Sequence, residues 1–125
     1  MDELNQVATA FVKYYYEKFD TNRSDLLSLY QPDAMLTFSG DRAQGPEAIM
    51  KKLNSLSFRK IAHDIAGLNI QVQPTFNNGM LVVVSGQLIA DDDSDHPLMF
   101  SQVFTLNNAN GQWFILNDVF NLSFV

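Results

Sequence analysis

The sequence predicts an α+β domain, with three N-terminal helices packed on a strongly curved, mostly antiparallel sheet that forms a cone around an apolar hollow. Helical spacings crowd the first half of the chain, and period-two alternation fills the second. Asn- and Gly-rich turns join the later segments as hairpins. The 125 residues fit a single domain spanning 1–125, and 46% hydrophobic residues supply its core.

Leu4, Val7, Ala8, Phe11, Tyr14, Tyr15, Lys18 and Phe19 recur at helical spacing, with Asp2 and Glu3 near the positive end of the helix dipole. Tyr14, Tyr15 and Tyr16 cannot all face one way, so at least one looks outward. Asp20-Thr-Asn-Arg23 breaks this helix, and Asn22 or Ser24 caps a short second one carrying Leu26, Leu27, Leu29 and Tyr30, which Pro32 ends. Met35 to Phe38 reads as a strand closed by the turn Ser39-Gly40-Asp41. Gly45-Pro46-Glu47 starts a third helix with the apolar face Ala48, Ile49, Leu53 and Leu56.

Phe58 to Ile65 alternates with period two, and Leu68, Ile70 and Val72 extend the pattern beyond an irregularity at Gly67. Asn77-Asn-Gly79 is a hairpin turn leading into Met80–Ala90, a strand rich in β-branched residues. Leu98 to Leu106 is the return strand. Asn107 to Gly111 turns again, and Trp113 to Leu116 with Val119 to Phe124 completes the meander across a bulge at Asn117-Asp118. The sheet's second face, taken to include Val82, Val84, Gln87, Gln102 and Phe104, is expected to be covered by homodimerisation.

Several function classes are disfavoured at once. A formal charge of −6 argues against nucleic acid, whose phosphates call for clustered Lys and Arg. The chain has no cysteine, so disulfides, thiolate metal sites and thiol nucleophiles are excluded. Met1-Asp-Glu does not begin a secretory signal, and no apolar run approaches the ~18 residues of a membrane span. The expectation is a soluble intracellular domain with no membrane partner and no cofactor.

The residues with most to explain are Asp91, Asp92, Asp93 and Asp95, which follow directly on the strand ending at Ala90. Mutual repulsion and low strand propensity place them in an exposed loop. Asp91-x-Asp93-x-Asp95 imitates the start of a calcium loop. His96 and Gln102 stand where such a loop needs Gly and Glu, and strands flank it instead of helices, so no metal is expected.

The runs Phe11–Asp20, Leu36-Thr-Phe38, Gly45 to Ile49 and Lys52–His63 resemble the nuclear transport factor 2 family. Gly86-Gln-Leu88, Ala90–Asp93 and Asn117–Phe120 extend the likeness across essentially the whole chain. The resemblance implies a homodimeric, non-enzymatic carrier of the GDP form of the small GTPase Ran. Such a carrier works between cytoplasm and nucleus, through pores lined with Phe-Gly repeat nucleoporins. It further implies a hollow lined by Phe38, Leu56, Ile61, Leu98, Val103 and Phe120, which receives an aromatic residue of Ran. Asp91 and Asp93 would pair with a Ran lysine beside His63 at the mouth. Leu4 and Phe11 are the candidates for repeat binding.

Three departures stand out. Phe38-Ser39 replaces a Trp-Glu pair, with Asp41 nearby; Leu4 replaces an aromatic; and Asp95-His-Pro97 lengthens the acidic loop. Other domains of this cone shape are isomerases or dehydratases, or heterodimerising scaffolds of RNA export. An acid–base enzyme needs several tuned groups inside its pocket, and the expected lining is almost entirely apolar with one histidine.

Overall fold

The computed structural model describes residues 2–56, 58 and 60–123. Helix α1 (Asp2–Thr21) buries Ala8, Val12, Tyr15, Tyr16 and Phe19, which form one continuous stripe at 3.6-residue spacing. Of the three consecutive tyrosines, Tyr15 and Tyr16 turn inward and Tyr14 stays 45% exposed. A 3-10 segment (Arg23–Leu29) follows and buries Leu26, whereas Leu27 is exposed. Tyr30 and Pro32 lie outside it. They belong to strand β1 (Tyr30–Phe38), which tolerates the proline because its pairing is irregular between Tyr30 and Met35.

Ser39 and Gly40, both with positive φ, form the two-residue turn into β2 (Asp41–Gln44), a short edge strand that the sequence pattern does not reveal. Helix α2 (Pro46–Asn54) buries Ile49, Met50 and Leu53. Ala48 is exposed, and Leu56 lies beyond the helix, half-buried against the core.

The expected strand from Phe58 to Ile65 is shorter, running as β3 (Ile61–His63); its Arg59 lies outside the described residues. β4 (Asn69–Thr75) is a separate strand on the same edge of β5 (Gly79–Ala90). At the next turn the left-handed residues are Asn77 and Asn78, while Gly79 is extended. Gly79 is needed for close approach instead, because a Cβ there would meet Thr75 Oγ1 at 2.5 Å and the Leu106 carbonyl at 2.9 Å.

β6 (Leu98–Ala109) and β7 (Gln112–Ser123) are joined by the left-handed pair Asn110-Gly111. β7 runs unbroken through Asn117 and Asp118. The irregularity falls at Leu116, where the register steps from Thr105↔Asn117 to Leu106↔Ile115. Phe124, the expected end of this strand, lies outside the described residues.

The sheet order is β2-β1-β7-β6-β5-β3, with β4 also on β5; only the β1–β7 contact is parallel. This mixed, mostly antiparallel sheet curls around the helices, as the sequence predicts. Its inner rows are Val82↔Phe104↔Asp118, Val84↔Gln102↔Phe120 and Gly86↔Phe100↔Leu122. Its outer rows are Val83↔Val103↔Val119 and Ser85↔Ser101↔Asn121.

The expected assignment of faces is therefore inverted in part. Val82, Val84, Gln102 and Phe104 are buried under the helices, and Val103 stands on the outer face, away from the hollow. Gln87 is on the outer face as expected. A one-residue shift in reading a strand exchanges its faces, and Val82-Val83-Val84 carries no alternation to prevent it.

Candidate functional site: a ring-walled hollow beside an acidic loop

Between α1, α2 and the inner sheet face lies a hollow lined by Tyr15, Tyr16, Phe19, Leu36, Phe38, Leu53, His63, Gln102, Asp118 and Phe120. It is tight. Its cavity volume is about 10 Å³, room for one water. Phe38 and Phe120 stack at 4.7 Å and 18°, and Phe120 and Phe100 at 5.7 Å and 15°, giving one wall three near-parallel rings.

The closed end is polar, contrary to the expected apolar lining. Asp118, at the inward position of β7 facing Phe104, is fully buried and accepts hydrogen bonds from Tyr30 Oη (2.7 Å), Tyr15 Oη (3.3 Å) and Gln102 Nε2 (2.7 Å). Tyr16 Oη donates to Gln102 Oε1 at 2.8 Å, and the Tyr15 and Tyr30 hydroxyls lie 2.7 Å apart. Burial pushes the Asp118 carboxyl up to about 6, against the pull of its three donors. Burial first, and the Asp118 charge among the other causes, raise all three tyrosines well above their ordinary value. Gln102 is thus required inside: it is the amide that joins Tyr16 to Asp118.

His63 is not at the rim. Its side chain is only 2% exposed and lies in the wall, stacked on Tyr16 at 4.2 Å and meeting Phe19 and Phe100 edge-on. Asp20, at the end of α1, accepts the His63 backbone N–H at 2.9 Å and lies 2.7 Å from Nδ1. A carboxylate can only accept, so Nδ1 carries the proton shared in that contact.

Ile61 is buried, and Leu56 and Leu98 are half-buried against the core, all three outside the hollow's immediate lining. Register nonetheless gathers this end of the sheet: Leu88 pairs with both His63 and Leu98, and Ile61 with Ala90. The acidic loop starts one residue later. Asp91 therefore lies about 10 Å along β5 from the residue opposite His63, at ~3.3 Å per residue.

Asp91 and Asp92 are both left-handed, a conformation Asp adopts more readily than most residues. Lys60 fastens them. Its carbonyl accepts the Asp91 N–H at 2.8 Å, its own N–H donates to Asp91 Oδ1 at 2.9 Å, and its Nζ donates to Asp92 Oδ1 at 2.8 Å. The bond to Asp92 and its negative charge raise the Lys60 ammonium above its usual value. Asp93 contacts the exposed His96 ring at 3.0 Å. Near Phe38, Lys52 pairs with Asp41 at 2.9 Å and holds its Nζ 5.9 Å from the Phe38 ring centre.

Phe11 lines a separate open groove with Val7, Tyr14, Leu29, Trp113 and Phe114; Leu4 is half-buried about two turns before Phe11 and does not line it. Among the described residues, no group of three or more His, Cys, Asp or Glu side chains could hold a metal ion. No helix among them is long and apolar enough to cross a membrane.

Sequence reasoning missed Asp20, Asp118, Gln102 and the inward tyrosines. Signals existed for the tyrosines, three in a row on a helix, and for Gln102, between two phenylalanines in an otherwise apolar register; none existed for Asp20 or Asp118.

Fold and site together define a cone-shaped α+β domain with a ring-walled socket and an acidic loop at one end of its sheet. The sequence pattern of the Nuclear transport factor 2 (NTF2) domain matches residues 7–122. Proteins named nuclear transport factor 2 are 47% identical in Oryza sativa subsp. japonica (98% of each chain) and 43% identical in Neurospora crassa (96% of this chain, 95% of the other). The solved nuclear transport factor 2 of Cryptosporidium parvum superposes with a TM-score of 0.88 at 40% identity, covering 97% of this chain and 95% of that one. The chain belongs to the nuclear transport factor 2 family.

Proposed function

We propose that the protein is a homodimeric carrier that binds the GDP form of Ran and takes it through the nuclear pore. The observation that carries this reading is the stacked wall Phe100–Phe120–Phe38 at the same end of the sheet as the acidic loop. An aromatic side chain with a neighbouring lysine fits that pairing: its ring joins the stack while its ammonium meets Asp91 and Asp93. Because the resting hollow has room for one water, the ring enters by displacing a wall residue. Phe38, half-exposed and followed by the left-handed Ser39, is the residue placed to yield.

The groove around Phe11, Tyr14 and Trp113 supports docking of Phe-Gly repeats, with Leu4 at its approach. The outer row Val83, Val103 and Val119 supports the dimer seam, since Val83 and Val119 stand open to water on either side of the half-buried Val103. We assign no catalytic role. The polar groups around Asp118 are hydrogen-bonded to one another, as in a structural network that holds the closed end together. The carrier works in cytoplasm and nucleus, concentrated at the pore.

The test is capture of GDP-loaded against GTP-loaded Ran by wild type and Asp93→Asn. Selective capture of the GDP form, weakened by the substitution, is expected. Equal capture of both forms would sink the carrier reading, and unchanged affinity in the variant would remove Asp93 from the site.

A further inference from the structure

We infer that Lys60 is a built-in competitor that occupies the acidic rim in place of the partner's cation and so sets how tightly that rim binds. The inference rests on the carrier reading of the site. Three observations lead to it.

Lys60 touches both residues at the start of the loop, holding Asp91 through its backbone and Asp92 through its ammonium. Its Nζ lies 2.8 Å from Asp92 Oδ1, a full charge-assisted contact, yet its side chain is 63% exposed and the Asp92 side chain 75%. A contact so exposed is readily exchanged for another cation. A second lysine–aspartate pair stands beside Phe38: Lys52 Nζ lies 2.9 Å from Asp41 Oδ2 and 5.9 Å from the Phe38 ring centre. The rim that should attract a basic partner therefore carries cations of its own.

A partner ammonium arriving at Asp91 and Asp93 finds Lys60 Nζ already held on Asp92, the residue between them. It must either tolerate that like charge on the neighbouring carboxylate or displace it. Either outcome weakens the complex and hastens its release, which suits a carrier that must let its cargo go. The backbone bonds from Lys60 survive loss of the side-chain charge. Lys60→Gln thus removes the competitor while leaving the loop's left-handed geometry in place.

The experiment measures affinity for Ran-GDP across a salt series for wild type, Lys60→Gln and Lys51→Gln. The last removes one positive charge from an exposed position on α2 and controls for net charge. Lys60→Gln is expected to bind about two- to fivefold tighter than Lys51→Gln at low salt, the range open to an exposed ion pair, with the advantage shrinking as salt rises. Equal or weaker binding by Lys60→Gln overturns the inference.

A second arm uses the dipeptide Ac-Lys-Phe-NH2, with the amide signals of Asp91 to Asp93 followed by NMR. If wild type ignores Ran-GDP but Lys60→Gln responds more strongly than Lys51→Gln to the dipeptide, the carrier reading falls and the role of Lys60 stands. If no variant responds to either ligand, both fall.

Discussion

Asp20 and His63 are joined at two points: a single carboxylate at the end of α1 accepts the backbone N–H of His63 and lies 2.7 Å from its imidazole Nδ1. The helix is thereby fastened to β3, and the ring is fixed flat against Tyr16 in the wall of the hollow. Asp20→Ala leaves a part-buried N–H and an imidazole donor without this acceptor. We expect a loss of about 2–3 kcal/mol, measured by urea denaturation. Asp20→Asn keeps one acceptor oxygen and should lose about half as much. Equal losses in the two variants would show that the acceptor is not what matters.

Asp118 gives the fold an unusual dependence on pH. Its carboxyl titrates at about 6 when folded, against 3.8 for an unperturbed Asp, so the native state holds the proton more firmly than the unfolded chain does. The stabilising contribution of this group is complete below about pH 4 and is lost as pH rises through about 6. The shift corresponds to about 3 kcal/mol across that window. Other carboxylates titrate there as well, so the prediction concerns a difference. Plotted against pH, the stability of wild type minus that of Asp118→Asn should fall between pH 4 and 7. A flat difference would place the folded carboxyl near its ordinary value.

Phe120 and Phe38 share one stack but differ in burial. Phe120→Ala opens the wall from inside and should cost about 3–4 kcal/mol. Phe38→Ala acts at a half-exposed ring and should cost about 1–2 kcal/mol. Urea unfolding provides the ranking, and a reversed order would show that Phe38, not Phe120, anchors the wall.

The outer row Val83, Val103 and Val119 yields a prediction that separates the two faces of the sheet. Val119 is 39% exposed, so Val119→Glu should change the stability of the isolated protomer by no more than about 0.5 kcal/mol. Under the proposed homodimer it should nevertheless halve the mass found by light scattering at micromolar concentration. A dimer mass unchanged by the substitution would put the seam elsewhere.

The α+β class, the order of the main elements and the meander were legible in the sequence because periodicity reports them directly. The inward tyrosines were half legible: three in a row require a division, but the division depends on what lies opposite. The face of β5 was not legible, since Val82, Val83 and Val84 are alike and only pairing with β6 decides which of them points inward. Gln102 and Asp118 were misplaced for a related reason. A polar side chain in a strand looks solvent-facing until its partner is found, and these two partner each other across β6 and β7. The pairing of Asp41 with Lys52 and of Asp92 with Lys60 could not be read at all. It joins residues from separate elements through contacts that no local pattern encodes.

The parallel contact between β1 and β7 has a bearing on how the molecule assembles. Leu36 pairs with Asp118 and Phe38 with Phe120, residues roughly 80 positions further along the chain. Closing so long a loop is slow relative to zipping the β5–β6–β7 hairpins, whose turns are local. Phe38 belongs to one side of this seam, Phe120 and Asp118 to the other. The meander and the N-terminal helices can thus form while the socket does not yet exist. During refolding, the fluorescence of the Tyr15–Tyr30 pair should settle in the slowest phase, together with the stacking of Phe38 on Phe120.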